Sequence, residues 1–322
     1  MANNSMASKL TFRDATRQQA KASILIEGLT GKGKSGLALL LGKYFADGDM
    51  QKVFDIDTEN RSLDLFQGIQ LSDGTPCTPF KKVDLTSTIG YQPSNYLACK
   101  ENAIASGATV LINDSITHMW QREGGLLEMV TEVQKDRKYN NYTAWGAPTV
   151  KAEKDMIYQT VRDSRVHVIS TVRVKEKFDM VTGSDNKTSL QSLGEQEMQM
   201  PDLKYEPDLV LQMIHAGTIG GRPPRAKVIK SRYAILTEGT EYDFTTALIE
   251  QLVAYLKEGT DPTELLERQR LDMIETIKEV LDTDASKRTM FPMLKEQQGF
   301  KDTKLVDLPL VALQTLLGIM LA

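Results

Sequence analysis

Gly28-Leu29-Thr30-Gly31-Lys32-Gly33-Lys34-Ser35 decides how the rest of this chain is read. It fits G-x-x-x-x-G-K-[ST], a loop whose backbone N–H groups wrap phosphate oxygens. The preceding residues, Ser23-Ile24-Leu25-Ile26-Glu27, have the short apolar pattern of a buried strand. Residues 36–44, rich in Leu, read as a helix with its apolar face inward. Strand, loop and helix in that order aim the amides at the helix start toward an anion. The glycines remove the Cβ atoms that would stand between backbone and phosphate. On this reading Gly28, Thr30, Gly31, Lys32, Gly33 and Gly36 form the cradle. Lys34 reaches the β- and γ-phosphates, and the Ser35 hydroxyl sits on Mg²⁺. The expected ligand is Mg·ATP. A surface turn that matched by chance would lack the flanking strand and helix.

Downstream, residues 52–57 read as a second strand that ends in Thr58-Glu59-Asn60-Arg61-Ser62. Residues 68–95 are rich in Gly, Pro, Ser and Thr and predict a loop-rich excursion with one strand at 80–85. A helix over 94–106 leads to Ala108-Thr109-Val110-Leu111-Ile112-Asn113-Asp114-Ser115. An apolar run followed by Asn-Asp is the arrangement of a Walker B strand, in which Asp114 holds the metal's water shell opposite Ser35. The competing reading is an Asp that caps the next helix. Many P-loop enzymes place a catalytic Glu directly after this Asp, but here the position is Ser115. The base that polarises the attacking water then falls to Glu59, provided its strand lies beside that of Asp114 at the carboxyl edge of the sheet. Otherwise Glu59 begins a loop in solvent.

One helix is predicted over 118–138 and another over 149–163, feeding a strand at 166–172. Residues 175–206 show no steady period and predict a long irregular loop. Strands at 208–214 and 226–230 close the sheet, and helices follow at 246–257, 262–281 and 306–321. The expected fold is α/β with a mostly parallel sheet. It comprises a flexible arm (1–20), an ATPase core (21–258) and a small helical C-terminal module (259–322).

The 322 residues leave room for such a core and appendage, and 41% apolar with 25% charged residues is ordinary for a globular protein. A formal charge of −4 gives no global field toward nucleic acid, so any such contact must be local. Cys77 and Cys99 have no metal-ligand spacing and read as reduced thiols. The polar N-terminus lacks a signal-peptide core, and the apolar C-terminal run is interrupted by Gln314 and Thr315. A cytoplasmic protein without a membrane partner is expected. His118, His167 and His215 follow no ligand spacing, and His167, inside an apolar strand, reads as a core residue.

These motifs together resemble the RecA-type ATPase core, in which a strand ending Asp-x-Glu supplies the catalytic glutamate and Walker B ends in Asp-Ser. Asp57-Thr58-Glu59 and Asn113-Asp114-Ser115 match both features. Ile169-Ser170-Thr171-Val172-Arg173-Val174-Lys175 is similar to the recombinase strand that leads into the DNA-binding loop. Val228-Ile229-Lys230-Ser231-Arg232 is similar to their Val-Lys-x-Lys strand, whose basic residues reach a neighbouring subunit's γ-phosphate. The layout is most similar to shortened RecA-like ATPases of bacteriophages, some of which are single-strand annealing or recombination-mediator proteins. The resemblance covers about residues 20–245. It departs at Ser170-Thr171, where recombinases carry the Asn-Gln that links the γ-phosphate to DNA. No N-terminal oligomerisation domain is evident in the sequence.

The resemblance implies a Mg·ATP-dependent ATPase that forms a homo-oligomer, ring or filament, and acts on single-stranded DNA in recombination, annealing or replication, in the host cytoplasm if phage-encoded. Lys230 and Arg232 would act in trans. They lie in a stretch, 215–234, with five basic residues and no acidic one, which equally suits a solvated basic edge strand. The adenine is expected near Phe66. For single-stranded DNA the expected contacts are Lys138, Tyr142 and Trp145, which interleave cations and aromatics, and Arg173, Lys175 and Lys177, with Lys187 further along that loop. Trp145 suits a buried anchor that packs this loop onto the sheet somewhat better than a stacking contact. Two other functions remain open: a nucleotide-binding switch or scaffold that recruits a replication or recombination partner through its C-terminal helices, and a small-molecule kinase, for which the lid is poor in Arg.

Overall fold

Every residue of the first strand is buried, a pattern that fits only a sheet covered on both faces. The computed structural model describes residues 15–182, 188–219 and 221–320. In chain order the strands are Ser23–Gly28 (β1), Val53–Asp57 (β2), Lys81–Asp84 (β3), Val110–Asp114 (β4), His167–Thr182 (β5), Thr188–Glu197 (β6), Leu209–His215 (β7), Arg225–Ser231 (β8) and Glu241–Asp243 (β9). The helices are Lys34–Phe45 (α1), Pro93–Ala105 (α2), Thr117–Gln121 (α3), Leu126–Gln134 (α4), Pro148–Thr160 (α5), Thr246–Lys257 (α6), Pro262–Thr283 (α7), Ala285–Gln297 (α8) and Leu310–Met320 (α9).

The strands form one sheet in the order β3-β2-β4-β5-β1-β7-β8-β9, with β6 added to the free length of β5. The pairs from β3 through β7 are parallel, while β7–β8, β8–β9 and β5–β6 are antiparallel. The result is an α/β fold with a mostly parallel sheet. One apolar layer joins the sheet to α1 and α6 through Leu37, Leu41, Ile249 and Leu252. The opposite layer joins it to α2–α5 through Tyr96, Met119, Val130 and Ile157. The carboxyl ends of β1, β2, β4 and β5 therefore share one rim, where open α/β sheets bind ligands.

The chain divides into a unit spanning Lys21–Leu256 and a second made, among the described residues, of 15–20 and 257–320. In the second unit the residue 15–20 stretch is tied down, since Gln19 N donates to Thr260 O at 3.0 Å and Thr260 N to Arg17 O at 3.1 Å. Its helices α7–α9 bury Ile277, Leu294, Leu308, Leu313 and Leu316 together. Residues 1–14 of the expected arm lie outside the described residues. Among the described residues no helix is long and apolar enough to cross a membrane.

The fold departs from the sequence expectations in four places. The helix expected over 118–138 is two, α3 and α4. Gly124 between them takes φ +77°, and a Cβ on Gly125 would lie 2.7 Å from the Arg122 carbonyl oxygen. The irregular loop expected over 175–206 is instead largely the β5–β6 ribbon. A ribbon that continues a strand beyond the covered sheet needs no alternating apolar face, so it carries no period in sequence. Helix α8 escapes detection because Pro292 lies inside it, although Asp284 caps it by accepting from Ser286 N (2.9 Å) and Lys287 N (3.2 Å). The short β9 was not expected either. His167 behaves as read: its Nδ1 accepts from Ala22 N at 3.0 Å and its ring stacks on Phe45.

One core residue works against the fold. Asp55, on β2, is 1% exposed, and neither carboxylate oxygen has a hydrogen-bond partner among the described residues. Burial pushes its carboxyl well above the usual carboxylate range, and the nearby Asp114 and Asp57 push the same way against Lys82. With its folded value raised, Asp55 is neutral in both states at low pH. As the pH climbs, the unfolded chain loses the proton first, so stability falls. An unsatisfied buried polar group of this kind costs about 1–3 kcal/mol. Asp55→Val is therefore expected to raise the melting temperature by roughly 5 °C at neutral pH, on the scale of about 2–4 °C per kcal/mol. The gain should shrink toward about pH 4, near the ordinary Asp value. Calorimetry across that range checks it, and a gain independent of pH would show that packing rather than charge is responsible.

Candidate functional site

The glycine loop closes on itself before α1 begins. Gly31 and Gly33 take φ +80° and +87°, left-handed values that a side chain disfavours. A Cβ on Gly33 would lie 2.4 Å from the Cβ of Ala216 and 2.6 Å from its Cα, so the loop that follows β7 is packed against the cradle. The first turn of α1 has no acidic residue and Gly33 brings no side-chain cap, which leaves its amides to face an anion. Lys34 Nζ donates to the carbonyls of Gly28 (2.8 Å) and Leu29 (3.2 Å), so its ammonium lies over the loop.

Asp114 stands across from the loop. Ser35 Oγ donates to its Oδ2 at 2.7 Å, and Ser62 Oγ donates to the same oxygen at 3.0 Å. Thr171 Oγ1 donates to Oδ1. Three hydroxyls thus converge on one buried carboxylate from α1, from the turn after β2 and from β5. This all-oxygen set suits a hard divalent cation, which takes one or two protein ligands and fills its shell with water and phosphate. Among the described residues no group of three His, Cys, Asp or Glu could hold a metal by itself.

Glu59 reaches the same rim because β2 and β4 are parallel neighbours, with Asp57 in register with Asp114. Thr58 locks the two ends together. Its N donates to Asp114 O (2.8 Å), its Oγ1 donates to Ser115 O (3.0 Å), and that same Oγ1 accepts from Ser115 N (2.9 Å). Tyr96 OH also donates to Ser115 O at 3.0 Å. Asp57 Oδ1 accepts from Glu59 N at 2.8 Å, and burial raises the Asp57 carboxyl while Lys82, at 3.4 Å, pulls it down. Asn60 and Arg61 then take φ +56° and +67°, which reverses the chain and returns Ser62 to Asp114. Consecutive left-handed residues without Cβ relief are uncommon and cluster where structure is held for function.

The Glu59 carboxylate is held on both sides. Ser115 Oγ donates to Oε1 at 2.7 Å, Arg173 Nε donates to Oε1 at 2.7 Å, and Arg173 Nη2 donates to Oε2. Arg173 was expected on a nucleic-acid loop. It lies three residues beyond the last β4–β5 pair, Asn113↔Ser170, and reaches Glu59 there instead. Trp145 stacks on Trp120 at 5.8 Å and packs against the core, so it is an anchor rather than a free stacking platform. Tyr142 is 89% exposed, and Lys175 and Lys138 are exposed, Lys138 in an ion pair with Asp136 at 3.1 Å. The side chain of Lys177, and all of Lys187, lie outside the described residues.

Lys230 and Arg232 lie at the opposite edge of the sheet from the glycine loop, because β8 runs antiparallel to β7. Lys230 Nζ donates to the carbonyls of Tyr205 (2.5 Å) and Pro207 (2.7 Å), and burial lowers its pKa. Arg232 pairs with Asp208 at 2.9 Å. The structure does not bring either to the loop of its own chain.

Beside the cradle, a cavity of about 170 Å³ is lined by Gly33, Gly36, Phe66, Ile69, Ala216 and Ile219, among others. Phe66 stands close enough to α1 that a Cβ on Gly36 would lie 3.4 Å from its ring. The residues that sequence reasoning missed are Thr58, Ser62 and Tyr96. The only sign of the first two was the polar run at the end of β2, and Tyr96 had none. No protein-family model and no curated protein matches the chain.

Proposed function

We propose that this protein is a Mg·ATP-dependent ATPase of the RecA-like type. The observation that carries the reading is the meeting of Ser35, Asp114 and Glu59 at one rim, with Ser35 and Asp114 in hydrogen-bond contact and Glu59 tied to Ser115, the residue after Asp114. Two carboxylates with different partners can divide the work. Asp114, ringed by hydroxyls, fits the magnesium shell together with Ser35. Glu59, in a polar corner one residue beyond, fits the group that takes a proton from the attacking water. Magnesium would supply charge neutralisation on the phosphates. The amides of Gly31–Gly36 and the Lys34 ammonium would hold the phosphates, and the cavity beside Phe66 would take the base.

Single-stranded DNA is the proposed polymer partner, met by exposed Tyr142, Lys138 and Lys175. A homo-oligomer is proposed, in which Lys230 and Arg232, remote from the glycine loop of their own chain, would leave their carbonyl and Asp208 partners to reach a nucleotide bound to a neighbouring copy. The second reading, a nucleotide-binding switch with little turnover, is favoured by one observation: Arg173 already occupies the Glu59 carboxylate.

The experiment is ATP turnover with magnesium, with and without single-stranded DNA, alongside a mass measurement of the assembly. Turnover that is lost in Lys34→Ala, by about 100-fold or more from the missing phosphate contact, is the expected result. Nucleotide binding without turnover in either condition would leave the switch.

A further inference from the structure

We infer that Arg173 is a positioning residue that restrains Glu59, so that hydrolysis requires this ion pair to open. The inference rests on the ATPase reading above. The two oxygens of Glu59 are not equivalent. Oε1 accepts from both Ser115 Oγ and Arg173 Nε, each at 2.7 Å, whereas among the described residues Oε2 accepts from Arg173 alone. Removing the guanidinium therefore frees Oε2 completely and leaves the carboxylate anchored through Oε1. A water that replaces the guanidinium at Oε2 can give up a proton there, its oxygen keeping the O–H electron pair for a new bond to the γ-phosphorus while the bond to the β,γ-bridging oxygen breaks and ADP leaves.

The backbone around Arg173 is fixed. Its N donates to Thr117 Oγ1 at 2.9 Å, its O accepts from Met198 N at 2.8 Å, and it stands in register with Gly28, the first glycine of the loop. Opening the pair is thus a side-chain swing that leaves the sheet intact. Arg173 is about one third exposed and Glu59 15% exposed. The pair lies between the surface case, worth little, and the buried case, which is hard to break. Such a restraint can be opened at a modest cost, which suits a resting state better than a permanent strut.

The test compares ATP turnover, KM and nucleotide binding for the wild-type chain, Arg173→Ala, Arg173→Lys and Ser115→Ala, without added nucleic acid. Arg173→Ala is expected to raise kcat about tenfold with KM unchanged. Arg173→Lys, which can keep one bond to the carboxylate, should fall between it and wild type. Ser115→Ala should fall below wild type, because Oε1 then keeps only the restraining partner. Loss of turnover in Arg173→Ala with binding intact, or an unchanged kcat, overturns the inference and leaves the ATPase reading standing. A raised KM would assign Arg173 to the phosphates and likewise overturns it. Nucleotide bound by every chain but turned over by none, wild type included, removes the ATPase reading and the restraint with it.

Discussion

Glu59→Gln is expected to bind ATP as wild type does and to turn it over about 10²–10³-fold more slowly, within the range that a positioned general base contributes. The substitution keeps the shape of the side chain. Its remaining carbonyl oxygen can still accept from Ser115 Oγ, which lies 2.7 Å from the Glu59 carboxylate, so the group stays in its corner. What disappears is the negative charge and the oxygen able to take a proton. The cradle at Gly28–Gly36 and the Asp114 cluster do not touch this side chain through any hydrogen bond named above, so binding is spared. Arg173 loses a charged partner, and the fold should be weakened slightly, since the pair is half-buried. Single-turnover kinetics beside equilibrium nucleotide titration separates the two effects. A turnover within threefold of wild type would show that another group activates the water. Weaker binding in step with slower turnover would move Glu59 from proton transfer to ligand contact.

Much of this corner was legible in the sequence because its parts are local. Gly28–Ser35 lies between an apolar strand and a Leu-rich helix, and six consecutive buried residues in β1 are the physical counterpart of that pattern. Asp114 and Glu59 were legible as residues at the ends of apolar strands, where parallel sheets gather polar side chains. What joins them was not legible. Thr58 makes its three contacts with Asp114 and Ser115 only because β2 and β4 are in register, and no spacing in the chain encodes that register. The pairing of Arg173 with Glu59 was hidden for the same reason: a basic residue before a polar stretch shows no carboxylate partner until β5 is laid beside β4. Lys230 read either as a residue acting in trans or as part of a solvated basic strand, because carbonyl partners leave no mark in a sequence. The ribbon and α8 were invisible for a different cause, the first lacking an apolar period and the second containing a proline.

The second large effect is expected at Gly33, where two penalties act on one atom. Its φ of +87° is costly for any residue with a Cβ, at about 1–2 kcal/mol. The added methyl would also stand 2.4 Å from the Ala216 Cβ and 2.6 Å from its Cα, far inside contact distance. Ala216 follows β7 directly, and β7 is hydrogen-bonded to β1, so it cannot retreat without disturbing the sheet. The glycine loop can move, because Thr30 and Gly31 face outward. Gly33→Ala should therefore displace the loop rather than unfold the domain. Nucleotide affinity is expected to fall about 100-fold, some 2.7 kcal/mol, while the melting temperature drops by only a few degrees. Ala216→Gly alone should bind nearly as wild type. The double variant Gly33→Ala with Ala216→Gly should recover little, since the Cα clash and the left-handed backbone both persist. Full recovery in the double variant would assign the whole effect to the one methyl–methyl collision. Loss of the folded state in Gly33→Ala would show that the cradle is part of the core rather than a loop braced against it.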